Sequence, residues 1–159
     1  MVEDARFEDG ADRPLRLRAD DAENLQVLSS LVQDAIFPIT EMSWRPKERR
    51  FAALLNRFRW EDEASATRQN RSPERVQSVL SFSDVLKISS QGIDRADKDL
   101  VISLLTIEFT PGEDGAGEVI LTLAGDGAIR LDVEVLDVIL QDVTRPYIAP
   151  SRKTPTHSS

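Results

Sequence analysis

The 159-residue chain contains no cysteine. Disulfides, thiolate nucleophiles and cysteine-ligated metals are therefore excluded, and the composition fits a reducing compartment. It has one histidine, His157, in a polar final stretch. Imidazole acid–base chemistry and histidine metal sites have almost no material to work with. No apolar run approaches the roughly 20 residues that a membrane-spanning helix needs. Residues 1–10 are acidic without an apolar centre, so they do not read as a secretory leader. No Gly-x-Ser-x-Gly elbow, Walker loop or glycine-rich dinucleotide fingerprint is present. A cytoplasmic protein is expected.

What is there suits one domain. Hydrophobic residues make up 40% and charged residues 30%, enough for a core and a solvated surface. The net charge of −8 disfavours a general nucleic-acid binder. Residues 1–13 are expected to be disordered, residues 14–145 to form a single globular domain, and residues 146–159, rich in proline and polar side chains, to be a disordered tail.

The most telling stretch is residues 117–143. Val119, Leu121 and Leu123 alternate on one face before Gly125-Asp126-Gly127, and Ile129, Leu131 and Val133 alternate after it. Asp-Gly tolerates the positive φ angles of a tight hairpin turn. A phosphate loop would lead into a helix, whereas this glycine pair leads into a strand. Val135, Leu136, Ile139, Leu140 and Val143 then follow helical spacing behind a candidate N-cap, Asp132. Upstream, residues 15–18 alternate as a short strand. Asp20 and Glu23 stand at an acidic variant of the capping-box spacing. Leu25, Leu28, Val32 and Ile36 predict an amphipathic helix, which Pro38 ends. Residues 39–44 and 50–60 read as a hairpin about a turn at 46–49. Residues 61–75 read as a polar, mobile loop. Strands are expected at 77–82, 85–93 and 100–109, the last with Leu105, Ile107 and Phe109 on one face, and a flexible hairpin loop at 111–117.

This order predicts an α+β fold of about seven strands, predominantly antiparallel because the connections are short. The expected form is a bent sheet or split barrel with an N-terminal helix and a C-terminal capping helix, pleckstrin-homology-like in element order.

The strongest charge feature is residues 44–60, which hold six basic residues against one acid, Glu48. Both tryptophans bracket it. Arg45, Arg49, Arg57 and Arg59, with Trp44 and Trp60, are the candidate binding residues. In a continuous strand Arg57 and Arg59 share a face opposite Phe58 and Trp60. Such an arginine row grips phosphates or an acidic partner. The competing reading pairs these arginines with Glu61, Asp62, Glu63 or the acidic N-terminus, and makes the tryptophans partly buried core residues. Asp94, Asp97 and Asp99 depart from calcium-loop spacing and are interrupted by Arg95 and Lys98, so a solvated loop is expected there and no metal site. No catalytic residue and no cofactor is assigned.

Several strings carry a resemblance: residues 17–25, Leu-Arg-Ala-Asp-Asp-Ala-Glu-Asn-Leu; Gln33-Asp-Ala; Pro46-Lys-Glu-Arg-Arg-Phe-Ala with Leu55-Asn-Arg-Phe; Gly92-Ile-Asp; and Gly127-Ala-Ile-Arg-Leu. Over residues 14–145 the chain resembles a family of uncharacterised, mainly alphaproteobacterial proteins that form a domain of unknown function. The resemblance implies a bacterial cytoplasmic protein and transfers no activity.

The leading expectation is a non-enzymatic binding or interaction module using the Arg/Trp hairpin. Its partner would be an acidic protein surface, with a phosphorylated ligand second, nucleic acid disfavoured and no membrane. The alternatives are an enzyme relying on carboxylates, arginine or a bound metal, and a homo-oligomeric structural component.

Overall fold

Alternating aliphatic and β-branched residues dominate the chain, and most of them become strands. The computed structural model describes residues 14–70 and 74–148. The expectations for residues 1–13 and for most of the C-terminal tail lie outside the described residues. In chain order the elements are β1 (Arg16–Ala19), α1 (Ala22–Leu31), β2 (Ile36–Pro38), β3 (Met42–Arg45), β4 (Arg50–Phe58), α2 (Glu63–Arg68), β5 (Glu74–Phe82), β6 (Val85–Gln91), β7 (Val101–Pro111), β8 (Gly117–Leu123), β9 (Ala128–Val133), β10 (Val138–Asp142) and β11 (Tyr147–Ile148). Short 3-10 turns occupy Ile39–Glu41 and Trp60–Asp62.

The strands form one mostly antiparallel open sheet. Hydrogen-bonded neighbours run β1-β10-β5-β4-β2-β7-β8-β9-β6, with β3 beside β4 and β11 beside β5. The path ends at β1 and β6. Phe51 of β4, Phe82 of β5 and Val138 of β10 belong to the same buried cluster as Val119, Leu121, Ile129 and Leu131 of β8 and β9. The two halves of the sheet therefore curl around a shared core. Helix α1 adds Leu25 and Leu28, both buried. Each contributes about 1.5–3 kcal/mol on burial, which holds a ten-residue helix that would be marginal alone.

Several expectations hold. The strand near residue 16 forms, as do the hairpins β3–β4 and β8–β9 and the β7–β8 connection. Val119, Leu121, Leu123, Ile129, Leu131 and Val133 are all buried. In the β8–β9 turn the positive φ angles fall on Gly125 and Asp126, one position earlier than the Asp-Gly pair suggests.

The capping helix expected after residue 133 does not form. Residues 134–137 cross the β5–β6 corner, where the Glu134 N–H donates to the Asp84 carbonyl at 2.9 Å and the Ser83 N–H to the Asp137 carbonyl at 3.0 Å. Residues 138–142 then become a strand between β1 and β5. Tertiary pairing overrides a helical pattern that five apolar residues carried by themselves.

The N-terminal helix also stops early. Its cap is Asp21 rather than Asp20, the carboxylate accepting from the Asn24 N–H at 2.7 Å. Asp34 takes a left-handed φ of 63°, a conformation aspartate tolerates. The chain then extends into β2, which pairs with β7. Residues 63–68, expected as loop, form α2, and Tyr147–Ile148, expected as tail, pair with β5. In β7 the register shifts between Leu104 and Thr106. Buried positions move from Ile102 and Leu104 to Ile107, so the single face expected for Leu105, Ile107 and Phe109 is divided by a bulge.

Candidate functional site

The burial phase of β4 continues into charge. Phe51, Ala53 and Leu55 point into the core, and Arg57 follows them in the same alternation. On β10 the buried set Val138, Leu140 and Asp142 does the same. Ser78 of β5 lies between, opposite Leu55 on one side and Asp142 on the other. The Arg57 guanidinium is fully buried and donates to Ser78 Oγ at 3.0 Å, to both Asp142 oxygens at 3.0 and 3.2 Å, and to both Glu61 oxygens at 2.9 Å. Its remaining reach goes to the Phe58 carbonyl. Asp142 also accepts from Ser78 Oγ and from the Leu15 N–H. Burial alone pulls the Arg57 pKa down and is the largest influence, yet the bonds and charges of Glu61 and Asp142 together leave it raised. The arginine is a permanently charged strut.

Arg59 is also withdrawn from solvent. Strand β4 ends at Phe58, so Arg59 does not share a strand face with Arg57. It pairs with Glu74 and lies 3.6 Å from Asp62 and 3.9 Å from Glu61. The expected pairing with Glu61 and Asp62 occurs, but inside the fold rather than as a solvated row. Trp60 is half-buried, its indole N–H donating to the Gln33 carbonyl at 2.9 Å and its ring 5.6 Å from Phe58. Arg45 is exposed and 3.3 Å from Glu48. Arg49 reaches Glu134 from a backbone φ of 56°. The six candidate residues are thus scattered over a buried network, an exposed turn and a cleft, and Trp44 is the member that lines the cleft.

That cleft, about 240 Å³, lies where two edge strands approach. Among the described residues, strand β3 pairs with β4 alone and β6 with β9 alone. Met42 and Trp44 of β3 form one wall, and Ile88, Ser89 and Ser90 of β6 the other. The buried Phe51 and Ile129 make the floor, and Ile39, Thr40 and Ile93 extend the lining. Arg95 and Lys98 join the lining from the loop between β6 and β7, exposed and without an ion pair among the described residues. Two of the loop's three acids turn to its backbone: Asp94 accepts from the Ala96 N–H and Asp97 from the Asp99 N–H, each at 3.1 Å. Among the described residues, no carboxylate lines the cleft. Among the described residues no group of three or more acidic or histidine side chains could hold a metal ion, and no helix is long and apolar enough to cross a membrane.

Sequence reasoning passed over Arg95 and Lys98 because flanking aspartates disguise them as a solvated loop, and Ile88 to Ser90 because nothing local marks an edge strand. No curated protein and no solved structure matches the chain. A family model matches residues 15–157, a span that includes the strings carrying the resemblance, and the chain belongs to that family, described as Protein of unknown function (DUF2948).

Proposed function

We propose that the protein is a non-enzymatic interaction module whose cleft beside the β3–β4 hairpin takes an apolar group with adjacent negative charge from an acidic protein partner. One observation carries this reading: an apolar floor of Phe51 and Ile129 beside Trp44, with the exposed Arg95 and Lys98 in the lining and, among the described residues, no carboxylate there. Ligand sites are characteristically apolar concavities with a few placed polar groups. General acid–base work would ask for convergent carboxylates in the cleft, so binding is the better fit. The volume suits one or two side chains rather than a large cofactor. Arg57 and Arg59 are held in ion pairs inside the fold, and the ligand-facing role moves to Trp44, Arg95 and Lys98. A cytoplasmic setting suits this reading.

The test compares capture by the wild type with capture by Arg95→Glu/Lys98→Glu and by Trp44→Ala. An acidic partner retained by the wild type and lost from both variants, at unchanged melting temperature for the charge variant, is the expected result. Equal capture by all three overturns the reading.

A further inference from the structure

We propose that the ligand is an extended peptide segment that adds as a strand to the free edge of β6 and seats an apolar side chain against Trp44. The inference rests on the binding reading above and names the form of its ligand.

In an antiparallel pair, alternate residues turn their N–H and C=O groups away from the partner strand. Among the described residues, strand β6 pairs with β9 on one side only, so along its length half of these groups face outward. An open row of this kind is a template for another strand. Its beginning is already occupied. The Val85 N–H donates to the Arg49 carbonyl at 2.8 Å, and the register shifts between Val85 and Lys87. The bulge and the exposed Lys87 guard that end against casual pairing. The stretch left free by the described residues is 88–91, and Ile88, Ser89 and Ser90 of this stretch line the cleft.

A peptide paired there would lie beside an apolar trough. Trp44 and Met42 provide the facing wall, so every second peptide side chain points into it. The geometry selects apolar residues at alternate positions. Arg95 and Lys98, both basic and unpaired among the described residues, select an acidic residue where the peptide passes the β6–β7 loop. Main-chain bonds supply affinity and the pocket supplies specificity, which is the division seen in strand-addition modules generally.

The probe is a degenerate library of acetylated heptapeptides, with Glu at the first two positions and then Val, Ile, Leu or Phe alternating with Thr. Two controls accompany it: the tightest peptide N-methylated at alternate backbone nitrogens, and decanoate, which offers an apolar chain and a carboxylate without a peptide backbone. Amide exchange on the wild type and Trp44 emission in a Trp60→Phe background are read together. The expected result is saturable binding that slows exchange at the outward amides of residues 88–91, with N-methylation weakening affinity about tenfold or more through lost main-chain bonds. If decanoate or the N-methylated peptide binds as well as the parent, or if protection falls elsewhere, strand addition is overturned and the cleft remains a side-chain site. If neither the library nor decanoate perturbs Trp44 or β6, the binding reading falls with it.

Discussion

The Arg57 guanidinium and the Asp142 carboxylate, 85 residues apart, lie in bidentate contact at 3.0 and 3.2 Å inside the fold. Breaking a buried pair by removing one member strands the other charge and costs about 3–5 kcal/mol, roughly 6–20 °C of melting temperature at this chain length. Arg57→Met is therefore expected to lose that much, and Arg57→Glu to lose more by placing a third carboxylate beside Asp142 and Glu61. The double variant Arg57→Met/Asp142→Leu removes both charges and should recover a large part of the loss. Thermal melts of the three variants check this. A double variant no more stable than Arg57→Met would show that the two residues act independently.

The same pair fixes a pH dependence. The pKa of Arg57 is raised in the fold by Glu61 and Asp142 against the opposing effect of burial. A raised basic pKa gives stability that is fully present below the unfolded value and lost only as pH rises through the folded one. Both lie at the top of the scale. The melting-temperature difference between wild type and Arg57→Met should accordingly be the same at pH 7 and pH 10. A difference that shrinks by pH 10 would mean the guanidinium is not held as a charged strut.

Much of this arrangement was legible in residue order. The period of two through Phe51, Ala53 and Leu55 carries directly to Arg57, and strict alternation places its side chain inward. The same phase in Val138 and Leu140 leads to Asp142. What hid the pair was the second pattern in residues 135–143, whose apolar residues satisfy helical spacing equally well over so short a run. Reading helix there removed Asp142 from the sheet and left Arg57 without a buried partner. The β8–β9 hairpin was legible because Gly125-Asp126-Gly127 marks its turn chemically. The cleft was not, since its walls come from β3 and β6, whose proximity depends on how the whole sheet curls.

A buried bond between β7 and α1 sets a further dependence. Just past the register shift in β7, where Ile107 again faces Leu121 of β8, the Ile107 N–H donates to Ser29 Oγ of α1 at 2.9 Å. Both residues are buried. Ser29→Ala leaves that N–H without its acceptor at a cost of about 1–3 kcal/mol, whereas Ser29→Thr keeps the hydroxyl. Melting temperature should fall for alanine by roughly 2–12 °C and less for threonine. The Ile107 amide should exchange faster in the alanine variant, and unchanged exchange would count against the bond.

Gly92 closes β6 with a φ of +71°, beside Gly127 of the opposite hairpin. A Cβ there would stand 2.9 Å from the Gly127 Cα and 3.0 Å from the Asp126 carbonyl oxygen, both backbone atoms that have little freedom to retreat. Gly115 also has a positive φ, of +85°, but a Cβ on it meets open space. The two glycines separate backbone strain from steric conflict. Gly115→Ala carries the conformational penalty alone, about 1–2 kcal/mol. Gly92→Ala carries that penalty and the clash, and it displaces the end of β6 that leads to Arg95 and Lys98. Thermal melts should therefore rank Gly92→Ala well below Gly115→Ala, and only Gly92→Ala should also shift Trp44 emission, measured in a Trp60→Phe background. Equal melting temperatures would mean that the β6 and β8–β9 ends part without cost, and the cleft would then lack the rigid wall its ligand needs.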